Sequence, residues 1–164
     1  RKEGATVFAC AVEDPGRYGI VELNAGGDAV ALAEKPSVPA SDLAVTGLYF
    51  YDRQAVEIAR TLEPSARGEL EITDVNQAYL DRGQLHVETL PADTSWLDTG
   101  THESLLRASR EIQAFEKSTG ALVGSIEEAA FRMGFIDRAR LRELAGELKD
   151  SDYGRLLLEL TGQG

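Results

Sequence analysis

The chain has 164 residues, of which 43% are hydrophobic, which suits one compact domain or part of a larger one. Its 28 acidic residues outnumber 17 lysines and arginines, and the net charge of −11 excludes general binding to nucleic acid or anionic membranes, although a local basic pocket can still bind one phosphate. No apolar run approaches the ~20 residues of a membrane-spanning helix. The single cysteine, Cys10, lies in an apolar stretch and predicts a reducing, cytoplasmic location.

The first hundred residues alternate between predicted strands and helices. Stretches rich in Val, Phe and Ala, separated by Pro, Gly and Asp, predict strands over residues 5–13, 19–24, 29–34, 44–51 and 85–90. The 44–51 stretch is almost continuously apolar, which predicts burial on both of its faces. Apolar residues at helical spacing predict a helix over 53–62 and another from Ile72 to a stop at Gly83.

After Gly100 the pattern becomes wholly helical. A first helix runs to about Thr119, with an apolar face made by Leu105, Leu106, Ile112 and Phe115. Ser125 to Glu128 fits a capping box that opens a second helix, Asp137 caps a third, and the last covers about 151–160. The sequence therefore predicts an α/β region over residues 1–100 and a helical region over residues 101–164.

The segment WLDTGTHESL, residues 96–105, contains the first candidate chemistry. Asp-Thr-Gly is the triplet of aspartic proteases, in which two aspartates share a proton, but it occurs once here and opens a helix, so we reject that interpretation. His102 is interpreted as a solvated first-turn residue of the helix that Thr101 caps. Asp98 follows a strand-like segment, where α/β proteins bind ligands, and is either a Mg²⁺-binding carboxylate or a turn residue.

Two other segments combine charge with a break in regular structure. Glu34 and Lys35 lie at a strand end before Pro36, which biases Lys35 toward an extended conformation. A regular strand would point the two side chains in opposite directions. The corner is either a site that holds a polyol hydroxyl with Glu34 and a phosphate with Lys35, or a solvated strand end. Arg67, beside Gly68, can fork onto phosphate oxygens or belong to an ordinary loop.

Glycines inside predicted strands mark another possible site. Glycine in a strand costs stability and often marks a close approach of a ligand to the backbone. Gly19, next to Tyr18, and Gly47 are such positions. Tyr49 is then either an aromatic wall of a pocket or a core residue.

Taken together, these segments resemble the C-terminal half of sugar nucleotidyltransferases. The resembling stretches run in order across almost the whole chain: RYGIVELN, ALAEKPSVPASDLAVTGLYFYD, PSARGELEITDVNQAYLDRG, WLDTGTHESLLRAS, SIEEAAFRMGFID and YGRLLLEL. The Gly-rich, Arg-containing nucleotide loop and the Leu-Gly-Asp segment of the family's N-terminal half do not occur in this sequence. Because the chain also begins without Met, we expect that an N-terminal half is missing.

The resemblance implies part of a mixed, doubly wound (Rossmann-like) sheet followed by a C-terminal helical region. It implies attack of glucose-1-phosphate on the α-phosphorus of dTTP, with Mg²⁺ as cofactor and dTDP-glucose and pyrophosphate as products. Asp98 matches the second Mg²⁺-ligating aspartate, Lys35 the lysine that holds the sugar phosphate, and Arg67 an arginine near the phosphates. The matching sugar-binding positions are Tyr18, Gly19, Glu34, Lys35, Val45, Gly47, Tyr49 and Trp96.

The resemblance also implies regulation and assembly. Family members bind a regulatory nucleotide between subunits, and Glu128 and Arg132 match that site, although Asp93 stands near a position that is often basic and would repel phosphate. A cytoplasmic homotetramer is implied, with dTTP, glucose-1-phosphate and the N-terminal half as partners, and with no nucleic acid or membrane. The open alternative is a non-catalytic, stand-alone sugar-phosphate-binding or regulatory module.

Overall fold

A five-stranded sheet forms the framework of the first part of the computed structural model, which describes residues 3–162. Its strands are β1 (Ala5–Ala11), β2 (Gly19–Leu23), β3 (Ala29–Glu34), β4 (Leu43–Tyr51) and β5 (Leu85–Thr89), in the order β3-β2-β4-β1-β5. β1 pairs with β5 in parallel, whereas the β1–β4, β2–β3 and β2–β4 pairs are antiparallel. The predicted mixed α/β fold is confirmed.

Two helices cover one face of this sheet. They are α1 (Gln54–Arg60) and α2 (Ile72–Asp81), and their buried residues Ile58, Val75 and Tyr79 pack with Ala5, Val7 and Leu85 of the strands. Tyr51 of β4 stacks between Tyr49 and Tyr79, with ring centroids 5.7 Å apart in both pairs. Cys10 is a buried free thiol, and its burial confirms the core position that its apolar setting predicted.

Strand β4 corrects one prediction. One edge of β4 pairs with β1 from Leu43 to Tyr51. The opposite edge pairs with β2 only at Ala44 among the described residues. Side chains alternate along a strand, so Tyr49 and Tyr51 pack against the helix-covered core while those of Leu48 and Phe50 lie on the other face. Leu48 and Phe50 are 50% and 62% exposed, so the prediction that the whole strand is buried on both faces is wrong.

Asp52 joins the end of β4 to the start of the chain and to α2. Its carboxylate accepts hydrogen bonds from Gly4 N at 2.7 Å, the Tyr79 hydroxyl at 2.7 Å and Gln54 N at 2.9 Å. The bond from Gly4 is the largest of several that hold the pKa of Asp52 far below its usual range. The folded state therefore favours the ionised form of this carboxylate.

The chain divides after Trp96 into two compact units, so residues 97–100 lie with the helical unit, whereas the sequence-based boundary falls after residue 100. The second unit contains α3 (His102–Thr119), α4 (Ile126–Arg132), α5 (Arg138–Glu147) and α6 (Asp152–Gly162). Leu141, Ala145 and Leu157 form its core. No helix among residues 3–162 is both long enough and apolar enough to span a bilayer.

The predicted caps explain where these helices begin. Thr101 and Ser104 form a reciprocal capping box at α3, and Asp137 accepts a hydrogen bond from Arg140 N at 2.8 Å. Ser125 caps α4 through Glu128 N at 3.2 Å. The predicted box at Ser125 is only half formed, because the Glu128 carboxylate binds Arg132 instead.

Candidate functional site

Glu34, the last residue of β3, is fixed by a residue distant in sequence. Its Oε2 accepts a hydrogen bond of 2.6 Å from the hydroxyl of Thr73, in the first turn of α2. Gly19, its partner on β2, leaves room for this pair, since an added Cβ there would lie 3.0 Å from Glu34 Oε2 and 3.1 Å from Thr73 Oγ1. The Glu34 carboxylate is thus oriented before any ligand binds.

Lys35 turns back toward this carboxylate. Its φ of +42° lies in the left-handed region, which lysine rarely adopts, and its N–H donates to Tyr18 O at 3.0 Å. Lys35 Nζ lies 3.9 Å from Glu34 Oε1. The prediction that Pro36 biases Lys35 toward an extended conformation is therefore wrong. The opposite orientation expected for a regular strand does not apply, because the strand ends at Glu34 and the chain reverses at Lys35.

Arg67 brings a second cation to the same carboxylate. Arg67 Nη1 lies 3.9 Å from Glu34 Oε1, Arg67 Nε lies 3.7 Å from Glu71 Oε1, and Nη2 donates to Glu69. Ser65 orders this loop, because its N–H donates to Glu69 O at 2.8 Å and its hydroxyl to Glu71 Oε1 at 2.9 Å. The hydrogen bond and charge of Glu69 raise the pKa of Arg67, which remains a cation.

The aromatic candidates fall into two groups within the first unit. Tyr18 meets Trp96 edge to face, with centroids 4.9 Å apart and an interplanar angle of 69°. Tyr49 is half-buried, and burial followed by the negative charge of Glu34 raises its pKa. Gly47 is exposed, and an added Cβ there would meet nothing within 4 Å, while Val45 packs against the core.

Asp98 belongs to the second unit. It is half-buried and lies between β5 and α3, in a stretch without helix or strand. An added Cβ at Gly100 would lie 3.4 Å from Asp98 Oδ2, so this glycine leaves room beside the carboxylate. The described residues contain no group of three or more His, Cys, Asp or Glu side chains placed to hold a metal, and the Mg²⁺ site stays a prediction.

Three site residues were not selected from the sequence, namely Glu69, Glu71 and Thr73. The signal for Glu69 and Glu71 was present as the acidic alternation GELE beside Arg67. The partnership of Thr73 with Glu34 spans 39 positions, and no local spacing reveals it. The structure thus gathers Gly19, Glu34, Lys35 and Arg67 into one corner and adds these three residues to it.

The predicted regulatory pair lies on α4. Arg132 reaches back one turn, and its Nε and Nη2 lie 2.7 and 2.6 Å from Glu128 Oε1. The Glu128 side chain is 12% exposed and that of Arg132 is 70% exposed. Beside them, the Tyr153 hydroxyl of α6 donates to Glu127 and lies 2.9 Å from the Ser125 hydroxyl. This arrangement presents the guanidinium to solvent on a fixed carboxylate.

A family model described as nucleotidyl transferase matches residues 1–114. The chain belongs to the nucleotidyl transferase family. Relatives named glucose-1-phosphate thymidylyltransferase include one from Actinoplanes sp., 52% identical over 161 residues, and one from Mycolicibacterium smegmatis, 54% identical over 157 residues. These alignments cover 98% and 96% of this chain but 53% and 54% of the relatives, so the chain spans about half their length.

A solved structure shows the same fold. It is a crystal structure from Bacillus anthracis of a protein assigned as a glucose-1-phosphate thymidylyltransferase, in complex with a sucrose. It is 44% identical to this chain with a TM-score of 0.60, and the match covers 67% of this chain and 44% of that one. The mixed sheet described above is therefore an architecture that a solved relative shares.

Proposed function

We propose that this chain is the sugar-phosphate-binding part of a nucleotidyltransferase that makes dTDP-glucose and pyrophosphate from dTTP and glucose-1-phosphate with Mg²⁺. The observation that carries the proposal is the corner in which Lys35 and Arg67 flank the anchored Glu34 carboxylate. A sugar phosphate needs cations for its phosphate and a fixed acceptor for its hydroxyls, and this corner supplies both. Family membership and the names of the relatives support the same chemistry.

In the proposed reaction, the main role of these residues is to bind and orient the substrate. Lys35 and Arg67 bind the sugar phosphate, so that one of its oxygens is aimed at the α-phosphorus of dTTP. Glu34 accepts hydrogen bonds from sugar hydroxyls, assisted by the backbone near Gly19 and Val45. Pocket walls come from Tyr18, Gly47, Tyr49 and Trp96. Fixing the reactants in this way lowers the entropic part of the barrier.

Asp98 would hold the Mg²⁺ ion. Magnesium usually takes one or two protein carboxylates and fills its other positions with water and substrate phosphates, so a single half-buried aspartate fits as a donor. When bound, the ion neutralises charge on the triphosphate. The chain's own contribution is one oxygen ligand on a segment that runs directly into the capped helix α3.

A second portion of protein is needed to bind the nucleotide. The Actinoplanes and Mycolicibacterium relatives are nearly twice as long as the matched region, and this sequence contains no Gly-rich loop for a triphosphate. Among the described residues, β4 has an open edge beyond Ala44, beside exposed Leu48 and Phe50. We infer that the nucleotide-binding portion completes the sheet there, within a cytoplasmic homotetramer.

A stand-alone sugar-phosphate-binding module is the second candidate. It is favoured by the fact that Gly19, Glu34, Lys35 and Arg67 all lie in one compact unit, so binding does not require a second portion. In both proposals the chain recognises a sugar phosphate, and they differ only in whether nucleotide transfer follows.

Calorimetric titration of the chain with glucose-1-phosphate and with glucose tests the shared step. We expect binding of the phosphorylated sugar and far weaker binding of glucose, because the phosphate meets Lys35 and Arg67. Equal affinities, or no binding of glucose-1-phosphate, would contradict both proposals. Binding without nucleotide transfer, even when the remaining portion of a relative is supplied, would favour the module.

A further inference from the structure

The sugar-phosphate corner carries more negative than positive side chains. Lys35 and Arg67 supply two cations, while Glu34, Glu69 and Glu71 supply three carboxylates within ion-pair distance of them. An incoming phosphate therefore meets an arginine whose charge is already shared among anions. For a phosphate to bind Arg67, at least one of its three carboxylate contacts must be replaced. Differences in exposure and hydrogen bonding among the three carboxylates indicate which contact is replaced.

Two of the three carboxylates are held by other groups. Glu34 is 26% exposed and accepts the Thr73 hydroxyl, and Glu71 is 13% exposed and accepts the Ser65 hydroxyl. Neither can leave without losing its hydrogen bond and moving part-buried charge. Both are thus fixed parts of the corner.

Glu69 differs from them in its exposure and in its hydrogen bonds. Its side chain is 61% exposed, and among the described residues its carboxylate is bound by Arg67 alone. An exposed ion pair of this kind is weak, because water solvates the released carboxylate well. Glu69 can rotate into solvent while Glu71 retains the Nε side of the guanidinium.

We propose that Glu69 occupies the phosphate position of Arg67 in the ligand-free protein and is displaced when the sugar phosphate binds. This rests on the proposed function of the corner. Glu69 acts through Arg67 and is a positioning residue that competes with substrate. This competition weakens phosphate binding. It also keeps the Arg67 guanidinium oriented toward the site, because the guanidinium is held by Glu69 until the phosphate replaces it.

The test compares Glu69→Gln, Arg67→Gln and the double variant by calorimetric titration with glucose-1-phosphate and with inorganic phosphate. We expect Glu69→Gln to tighten binding by about three- to fivefold, the scale of an exposed ion pair. The gain should vanish in the Arg67→Gln background, because the competition acts only through that arginine. Glu57→Gln is the matched control, since it breaks an exposed carboxylate–arginine pair on α1.

An unchanged or weaker affinity of Glu69→Gln would overturn the proposal. Tightening of equal size in the Arg67→Gln background would also overturn it, because the effect would then be one of overall charge. A second readout is independent of sugar binding: phenylglyoxal modification of Arg67, followed by peptide mass spectrometry, should be faster in Glu69→Gln. If the wild-type chain binds neither ligand, the proposed function fails, and the modification rate alone decides the role of Glu69.

Discussion

Glu34 and Asp98 are both carboxylates at the ends of strand-like segments, yet the structure treats them differently. Glu34 is anchored by the Thr73 hydroxyl at 2.6 Å, fits the space that Gly19 leaves, and lies 3.9 Å from both Lys35 Nζ and Arg67 Nη1. Asp98 lies outside helix and strand, half-buried before a capped helix. The contacts of Glu34 come from four separate segments of this chain, whereas the role of Asp98 in the proposed reaction is to ligate Mg²⁺.

The largest effect should come from Asp98. When this chain is combined with the portion of a relative that it does not match, Asp98→Asn should lower turnover by more than about 100-fold. Substituting even a residue that only hydrogen-bonds a metal ligand lowers metal affinity or activity by about 10- to 100-fold. The amide keeps the size of the side chain but removes the negative charge that Mg²⁺ prefers. Steady-state kinetics over a Mg²⁺ titration measures this, with Asp93→Asn as control in the same segment. Near-normal turnover with an unchanged Mg²⁺ dependence would remove Asp98 from the site.

Lys35→Ala should act on the sugar phosphate and spare the nucleotide. We expect glucose-1-phosphate affinity to fall by about 10- to 100-fold, the scale of a charge-assisted hydrogen bond, while dTTP affinity changes far less. Separate calorimetric titrations of the two ligands measure the split, and Lys149→Ala is an exposed control on the helical unit. Equal weakening of both ligands would indicate general damage to the fold.

Thr73→Val tests whether the anchoring of Glu34 matters. Valine keeps the shape but removes the hydroxyl that donates to Glu34, so affinity for glucose-1-phosphate should fall about 2- to 10-fold. Inorganic phosphate lacks sugar hydroxyls, and its binding should be nearly unchanged. A loss of the same size for both ligands would show that Thr73 supports the whole corner rather than the orientation of Glu34.

The depressed pKa of Asp52 makes the free energy of unfolding depend on pH. Its folded pKa is depressed below the ordinary aspartate value of about 4, so its contribution is present above pH 4 and is lost as the pH falls further. Burial and, after it, the hydrogen bond to Asp52 raise the pKa of Tyr79 to about 12, so the contribution of Tyr79 is lost as the pH rises from about 10 through 12. Thermal unfolding from pH 2 to 7 should show a smaller loss of stability in Asp52→Asn. A slope equal to that of the wild type would contradict this assignment.

Arg132→Ala should have the smallest effect on the basal rate. Its guanidinium is exposed on α4, so removing it should leave turnover nearly intact while weakening inhibition by the nucleotide-sugar product. Inhibition curves for wild type and Arg132→Ala measure this, with Arg155→Ala, another exposed helical arginine, as the control. An unchanged curve would rule out the regulatory role, and Asp93 is the residue that argues for that outcome.

The elements of the fold followed largely from local sequence. The Thr101, Ser125 and Asp137 caps and the strand patterns placed the helices and strands within a few residues, because caps and periodicity are local signals. The exposure of Leu48 and Phe50 was missed, since it depends on whether another element packs on their face of β4, which the sequence of the strand does not reveal.

The site was predicted less completely. Charged residues beside breaks in regular structure were found, but the left-handed turn at Lys35 contradicts the usual effect of Pro36. The Thr73–Glu34 bond joins distant positions, and Glu69 resembles any exposed glutamate until its distance to Arg67 is known. Partners brought together by tertiary structure leave no local signature.

The most direct test measures pyrophosphate release from dTTP and glucose-1-phosphate with Mg²⁺. The chain is assayed alone and with the portion of the Actinoplanes relative that it does not match, supplied as a second polypeptide. The proposed function predicts no release by either polypeptide alone and release when both are present, abolished by Asp98→Asn. Release by residues 1–164 alone, or binding of glucose-1-phosphate with no release by the mixture, would contradict it.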